Sequence, residues 1–302
     1  MKNFAPIVIP TYNRYEKFKV CMEALSNCAD VAKHDIFVFI DGARDAESRK
    51  AQNNIMHYLS TLSGSELRLN IEIREHNLGA SQNCFLAQAA ITQKYGRSIY
   101  MEDDVVPAPG YLRFMNDALN FYEEDLRVLS VAGFSPVDVS SLTESGVYFS
   151  NRFNAWGSGI WRRSLEVYPS REMFKHVSQD FIDAVDVVEK KYGSALARLA
   201  KKVVDDELDA QDIRNTLVQI VTNRYTAYPV KSFVSNIGHD GSGVHCSKTT
   251  IYESVPIELA IRPSFFTTDV SEDNRILAEN FKFRQPGLFK RLLARTKAYL
   301  QP

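Results

Sequence analysis

Cysteine is scarce in this chain. The four residues Cys21, Cys28, Cys84 and Cys246 among 302 show no C-x-x-C or other zinc-like spacing. That argues against a structural zinc module and against a disulfide-stapled secreted scaffold; the four read as reduced thiols in a cytosolic protein. Long apolar runs are also missing, and none approaches the ~20 residues needed to span a bilayer. Met1 to Pro10 enters a strand-like run directly and lacks a signal-peptide pattern. A soluble protein is expected, or a peripheral one on the cytoplasmic face of a membrane. Net charge is nearly absent, at −1, so no long-range field draws the chain to nucleic acid, which is not an expected partner. Internal repeats and low-complexity tracts are absent too.

What is present is enough apolar residue, 45%, to bury a sizeable core. The first half alternates strand-like and helix-like segments. Ala5 to Ile9 is an apolar run closed by Pro10, and Ile36 to Ile40 is another closed by Asp41-Gly42. Leu69 to Ile73 and Ser98 to Met101 read as the third and fourth strands. Between and after them, helices are expected over Arg14 to Cys28, Ala46 to Leu62, Leu78 to Tyr95 and Gly110 to Glu123. Successive βα units imply parallel strands joined by crossover helices. Ligands of such sheets lie beyond the carboxyl ends of the strands. The expected site residues are therefore Thr11 to Arg14, Asp41 to Arg44, His76 to Gly79 and Glu102 to Asp104, all on one edge of the sheet.

The second half is less regular. Val128 to Ala132 reads as a strand, and Arg152 to Trp161 as strand plus loop. Helices are expected over Gln179 to Lys202 and Asp205 to Val221. Ala227 to Val234 looks extended and leads into the Gly-rich Asn236 to Gly243.

Three consecutive acids, Glu102-Asp103-Asp104, end the fourth strand. Like charges this close raise one another's pKa and oppose folding. A hard divalent cation, Mn²⁺ or Mg²⁺, removes the conflict because it prefers oxygen ligands. One short cluster cannot fill six coordination positions, and the open ones suit water and a diphosphate. A solvated acidic turn is the plainer alternative; the apolar flanks Ile99-Tyr100-Met101 and Val105-Val106 argue against it.

Four segments, PIVIPTYNR (Pro6 to Arg14), FVFIDGARD (Phe37 to Asp45), REHNLGASQN (Arg74 to Asn83) and IYMEDDVVPAPGYL (Ile99 to Leu112), resemble in order and spacing the GT-A fold of the family 2 glycosyltransferases. The last is similar to the N-acetylglucosaminyltransferase I type and its bacterial relatives. The resemblance covers roughly residues 5 to 250. It implies an α/β fold of GT-A type, with a Rossmann-like nucleotide-binding half over residues 1–125, a mixed acceptor-binding half over 126–250, and an extension over 251–302. It implies a UDP-linked nucleotide sugar as donor and a saccharide or lipid-linked acceptor, with inversion at the transferred carbon.

By residue, the resemblance places Pro10 and Thr11 at the nucleoside and Arg14 near the phosphates. Asp41 falls at a uracil-type ring edge, and Asn77 and Gly79 on the loop closing around the nucleotide. Asp104 is the implied metal ligand, Asp103 the contact to ribose or metal-bound water, and Glu102 the contact to the donor sugar. The plainer readings are an Asp-Gly turn at Asp41, a helix cap at Asn77-x-Gly79 and a solvated Arg14.

An inverting transfer needs a base for the acceptor hydroxyl. The cluster from Asp205 to Asp212 is the available source. Asp209 matches the family pattern best, although no tryptophan precedes it, and Asp212 is the second choice; an acidic turn favourable to a helix dipole is the alternative. Trp156 and Trp161 offer flat faces to a sugar, with Trp161 read as core. Gly157 and Gly159 permit close backbone approach to a ligand. In NIGHDGSGVH (Asn236 to His245), His245 is a candidate metal or diphosphate ligand, with a surface histidine as the alternative. Phe281 to Pro302 carries six cations and no acid. It is either a frayed tail or a surface for anionic membrane contact.

Other activities fit less well. A nucleotidyltransferase needs a Gly-rich triphosphate loop that Pro10 to Arg14 lacks. A phosphatase with Asp41 as nucleophile expects an acid where Ala43 stands. A non-catalytic sugar-nucleotide scaffold remains open.

Overall fold

The computed structural model describes residues 4–174, 179–239 and 265–284. Its elements run β1 (Ile7–Thr11), α1 (Tyr15–Ser26), β2 (Asp35–Ile40), α2 (Ala46–Thr61), β3 (Arg68–Ile73), α3 (Ala80–Tyr95), β4 (Arg97–Tyr100), β5 (Val105–Pro107) and α4 (Tyr111–Phe121). They continue through β6 (Val128–Ala132), β7 (Val147–Ser150), β8 (Ser158–Trp161), α5 (Arg162–Leu165), α6 (Arg171–Phe174), α7 (Gln179–Tyr192), α8 (Ser194–Val204), α9 (Gln211–Val221), β9 (Tyr225–Pro229), β10 (Val234–Asn236) and α10 (Asn274–Arg284).

Eight strands form one sheet in the order β3-β2-β1-β4-β8-β6-β9-β7. The β3, β2, β1 and β4 neighbours are parallel. Beyond β4 the sheet turns mixed, with β8 antiparallel to both β4 and β6, and β9 parallel to β6. This α/β architecture, a parallel half continuing into a mixed half, is the class expected from the sequence. Period-two alternation explains the layering. Ile7, Ile9, Ile36, Val38 and Ile40 face α1 and α2, while Val8 and Phe39 face Ala87 and Ile91 of α3. No described helix is long and apolar enough to cross a membrane.

Several boundaries differ from expectation. The helix expected over Gln179 to Lys202 is two, α7 and α8, broken at Gly193, whose φ of +93° is costly for other residues. The helix expected from Asp205 begins only at Gln211, after a loop in which Asp206 takes φ +58°. Gly157 and Gly159 do permit close approach, but to the protein. A Cβ at Gly157 would lie 2.9 Å from the Tyr111 hydroxyl, and one at Gly159 3.0 Å from Met115 Cε. Trp161 is core, its indole N–H donating to the Leu119 carbonyl at 3.1 Å.

The three-residue β5 was not expected. It pairs antiparallel with β10, placing Asn236 opposite Val105 directly after the acidic trio. Phe233, fully buried, stacks on Phe114 at 4.7 Å and fixes this ribbon to α4. We predict that Phe233→Ala lowers the unfolding free energy by about 3–5 kcal/mol in urea titrations; a loss below ~1 kcal/mol would show that the ribbon is not anchored through this ring.

Candidate active site

The carboxyl ends of β1, β2 and β4 converge on a cavity of about 340 Å³. Of the residues singled out in the sequence, it is lined by Pro10, Thr11, Arg14, Asp41, Asn77, Gly79, Glu102, Asp103 and Asp104. Tyr12, Asn13 and Arg44, inside the expected strand-end segments, line it too, and it gains Ala80, Asn83, Cys84 and Tyr100 from outside those segments.

Each acid is held differently. The Thr11 hydroxyl donates to Asp103 Oδ2 at 2.8 Å, and Arg14 Nη2 donates to Oδ1. Arg14 Nη1 bonds Asp104 Oδ2 at 2.8 Å, so one guanidinium spans two buried carboxylates. From the other side, the Asn236 amide donates to Asp104 Oδ1 at 3.3 Å, and the Ile237 N–H donates to the Asp104 backbone carbonyl at 2.9 Å. A Cβ at Gly238 would lie 2.0 Å from Asp104 Oδ2, so only glycine fits there. The carboxylate of Glu102 has no ion-pair or hydrogen-bond partner among the described residues.

These surroundings set the protonation equilibria. Burial, then Asp104 and Asp212, push Glu102 well above the usual glutamate range. Burial also raises Asp103, although Arg14 works in the opposite direction. For Arg14 itself, burial disfavours the charge, but Asp103 and Asp104 outweigh it and hold the guanidinium above its ordinary value. Cys84, in the cavity wall, is pushed up to about 12 by burial.

Asp41 organises a loop. Its carboxylate accepts from the Gly42 and Gly79 amides at 3.0 Å and from the Leu78 amide at 2.8 Å, which draws the segment before α3 against the end of β2. Asn77 closes the same corner, donating to the Gly42 carbonyl and accepting from Arg44 Nε, each at 2.8 Å. Gly79 takes φ +81° as the N-cap of α3.

The remaining candidates are placed apart. Asp209 ion-pairs with the buried Arg214 at 2.7 Å and lines a neighbouring cavity with Gln82, Phe85 and Glu172. Asp212 occupies the first turn of α9, near enough for its charge to raise Glu102. Trp156 packs edge-on against Phe134 and His239, at 4.7 and 5.4 Å, and is not among the residues lining the cavity. His245 lies outside the described residues. Of the six tail cations, Lys282 and Arg284 are described. Lys282 pairs with Glu279, and Arg284 lies 5.7 Å from the centre of the Tyr192 ring.

No three His, Cys, Asp or Glu side chains among the described residues form a ready metal cage. Arg14 occupies part of that role. The donor set nonetheless fits a hard cation. Glu102 and Asp104 offer oxygen ligands, and the up-shifted Glu102, without an ion-pair or hydrogen-bond partner among the described residues, marks a site whose acids Arg14 offsets only in part.

No family model matches the chain. No curated protein matches it either. Solved structures do. One is the mannosyltransferase PcManGT from Pyrobaculum calidifontis, in complex with GDP-Man and Mn²⁺. It is 12% identical with a TM-score of 0.42, over 73% of this chain and 70% of that one. Another is S. aureus TarS 1–349, 12% identical with a TM-score of 0.42, over 78% of this chain and 60% of that one. The same TarS segment in complex with UDP-GlcNAc is 15% identical with a TM-score of 0.39, over 78% and 58%. At these identities and scores the likeness is distant.

A glutamate whose folded-state pKa is raised weakens the fold when it ionises. Stability then falls as pH climbs from the unfolded value of 4.5 through the folded one. Glu102→Gln should accordingly melt at a higher temperature than the parent at neutral pH, with the difference vanishing below about pH 4.5. Equal melting temperatures at neutral pH would contradict a strained charge here.

Proposed function

We propose that the chain is a divalent-metal-dependent glycosyltransferase of GT-A type. It moves a hexosyl or N-acetylhexosaminyl group from a UDP-linked sugar to a hydroxyl of a glycan or lipid-linked saccharide, with inversion. The observation that carries this reading is the shared cavity of the strand-end residues Thr11, Arg14 and Asp41 with three acids, one of them without a partner among the described residues. Glu102 and Asp104 would hold Mn²⁺ or Mg²⁺, which supplies Lewis-acid stabilisation of the departing diphosphate. Asp41 retains lone pairs beyond its three amide bonds and can accept from a uracil N–H. Arg14 contributes positive charge beside the phosphates.

We assign the base to Asp212 rather than to Asp209. Asp209 is engaged by Arg214, whereas Asp212, in the first turn of α9, is near enough for its charge to act on Glu102. The acceptor oxygen bonds to the anomeric carbon as the bond from that carbon to the diphosphate oxygen breaks. The electron pair leaves with the nucleoside diphosphate, and the acceptor proton passes to Asp212. A basic tail would suit an acceptor presented at an anionic membrane surface.

Incubation with a panel of nucleotide sugars and Mn²⁺ tests the reading. Slow hydrolysis of one UDP-sugar is expected, abolished by chelator and by Asp104→Ala. Asp212→Asn should cut transfer by roughly 10²–10⁴-fold while UDP binding persists. Binding without turnover would instead indicate a scaffold, and consumption of a nucleoside triphosphate with a sugar phosphate a nucleotidyltransferase.

A further inference from the structure

β3 is an edge strand with nothing described on its free side, and its residues are exposed on both faces apart from the half-buried Leu69. Ile71 and Ile73 are 42% and 46% exposed, unusual for two isoleucines on one strand. Exposed edges of this kind are templates for pairing with another chain and are normally blunted by proline, a bulge or repelling charge. Residues 66–74, Glu-Leu-Arg-Leu-Asn-Ile-Glu-Ile-Arg, carry no proline and no glycine.

The segment has a further property. About Asn70 it is symmetric in polarity and antisymmetric in charge. An antiparallel copy centred there sets Glu66 opposite Arg74, Leu67 opposite Ile73, Arg68 opposite Glu72, Leu69 opposite Ile71, and Asn70 opposite itself. All four apolar residues fall on one face and all the charges on the other.

The backbone has the matching phase. The Arg74 N–H donates to the Ile40 carbonyl of β2, so the even-numbered groups of β3 face inward and those of Leu69, Ile71 and Ile73 face the free edge. In the Asn70-centred register the odd-numbered residues form the hydrogen-bonded pairs. The charged residues then fall at the non-hydrogen-bonded positions, where opposite side chains are closest.

Other registers are opposed. A shift by one pair sets Arg68 against Arg74, and a parallel pairing stacks Arg68 on Arg68 and Glu72 on Glu72, which like-charge repulsion disfavours. The existing partners are Asp35 for Arg68, at 3.3 Å, and Glu72 for Arg74; Arg74 also bonds Asn83 at 3.3 Å and lies over Phe39. The two ion pairs each involve at least one well-exposed partner and hold the side chains weakly.

We propose that two copies of this chain associate through β3 across a two-fold axis at Asn70, joining their sheets into one. The contact is isologous, each copy supplying the same strand. Leu67, Leu69, Ile71 and Ile73 of both copies make one apolar strip beside α2. The charged ladder lies on the α3 side.

Sedimentation of the full-length chain over a roughly hundredfold concentration range tests the proposal. A reversible monomer–dimer equilibrium is expected. Arg68→Glu and Glu72→Arg, each alone, should raise the dissociation constant by about tenfold or more, because each sets like charges opposite one another twice. The double reversal Arg68→Glu with Glu72→Arg should restore dimerisation, because the pairs are again opposite in sign. Circular dichroism melting checks that the variants fold, and a misfolded single reversal is replaced by Arg68→Gln, expected to weaken the dimer in the same direction. A monomer at all concentrations overturns the proposal. So does a dimer indifferent to the single reversals, or a double reversal no tighter than either single one.

Discussion

Arg14 lies between Asp103 and Asp104, and its guanidinium is what allows two adjacent carboxylates to be buried at the end of β4. Removing one partner from such an arrangement leaves an uncompensated buried charge, far more costly than the pair itself is stabilising. The placement of Arg14 depends in turn on β1 lying beside β4, and Asp104 is held from its other side by Asn236 at the end of β10. Residues far apart in sequence thus meet at one pair of acids. The neutralisation is incomplete, because Glu102 still stands beside Asp104 and within the field of Asp212. The site is therefore folded around a deficit of positive charge.

The cavity wall at the end of β2 follows a different logic. There Asp41 directs its acceptor capacity largely to backbone amides, and the result is a β3–α3 loop fixed against the end of β2. Gly42 belongs to the same device: a Cβ there would lie 2.2 Å from the His76 carbonyl carbon, so the two loops can meet only at a glycine. The acid is thus a structural member of the wall that it also lines.

The parallel half of the fold was legible because its strands are short apolar runs closed by turn residues, Pro10 and Asp41-Gly42, and strand ends are where α/β sheets bind ligands. Lining residues were therefore nameable from local pattern. What was not legible depends on long-range placement. β5 has three residues and exists only through its pairing with β10. The proposed preference for Asp212 over Asp209 draws on where α9 begins. Five acids between residues 205 and 212 read equally well as helix, but the chain turns at Asp206 and starts its helix at Gln211. The glycines at 157 and 159 carry a true signal of crowding, yet nothing local says that the crowding neighbour is α4 rather than a ligand.

Cys84 shares the cavity with these acids, and its thiol is pushed up to about 12. Nucleophilic sulfur is the thiolate, and only a minute fraction of this side chain ionises at neutral pH. The burial and negative surroundings that keep the proton on sulfur also make the residue slow toward alkylating agents and peroxides. A half-buried cavity-wall cysteine held as its thiol thus resists the chemistry that needs a thiolate.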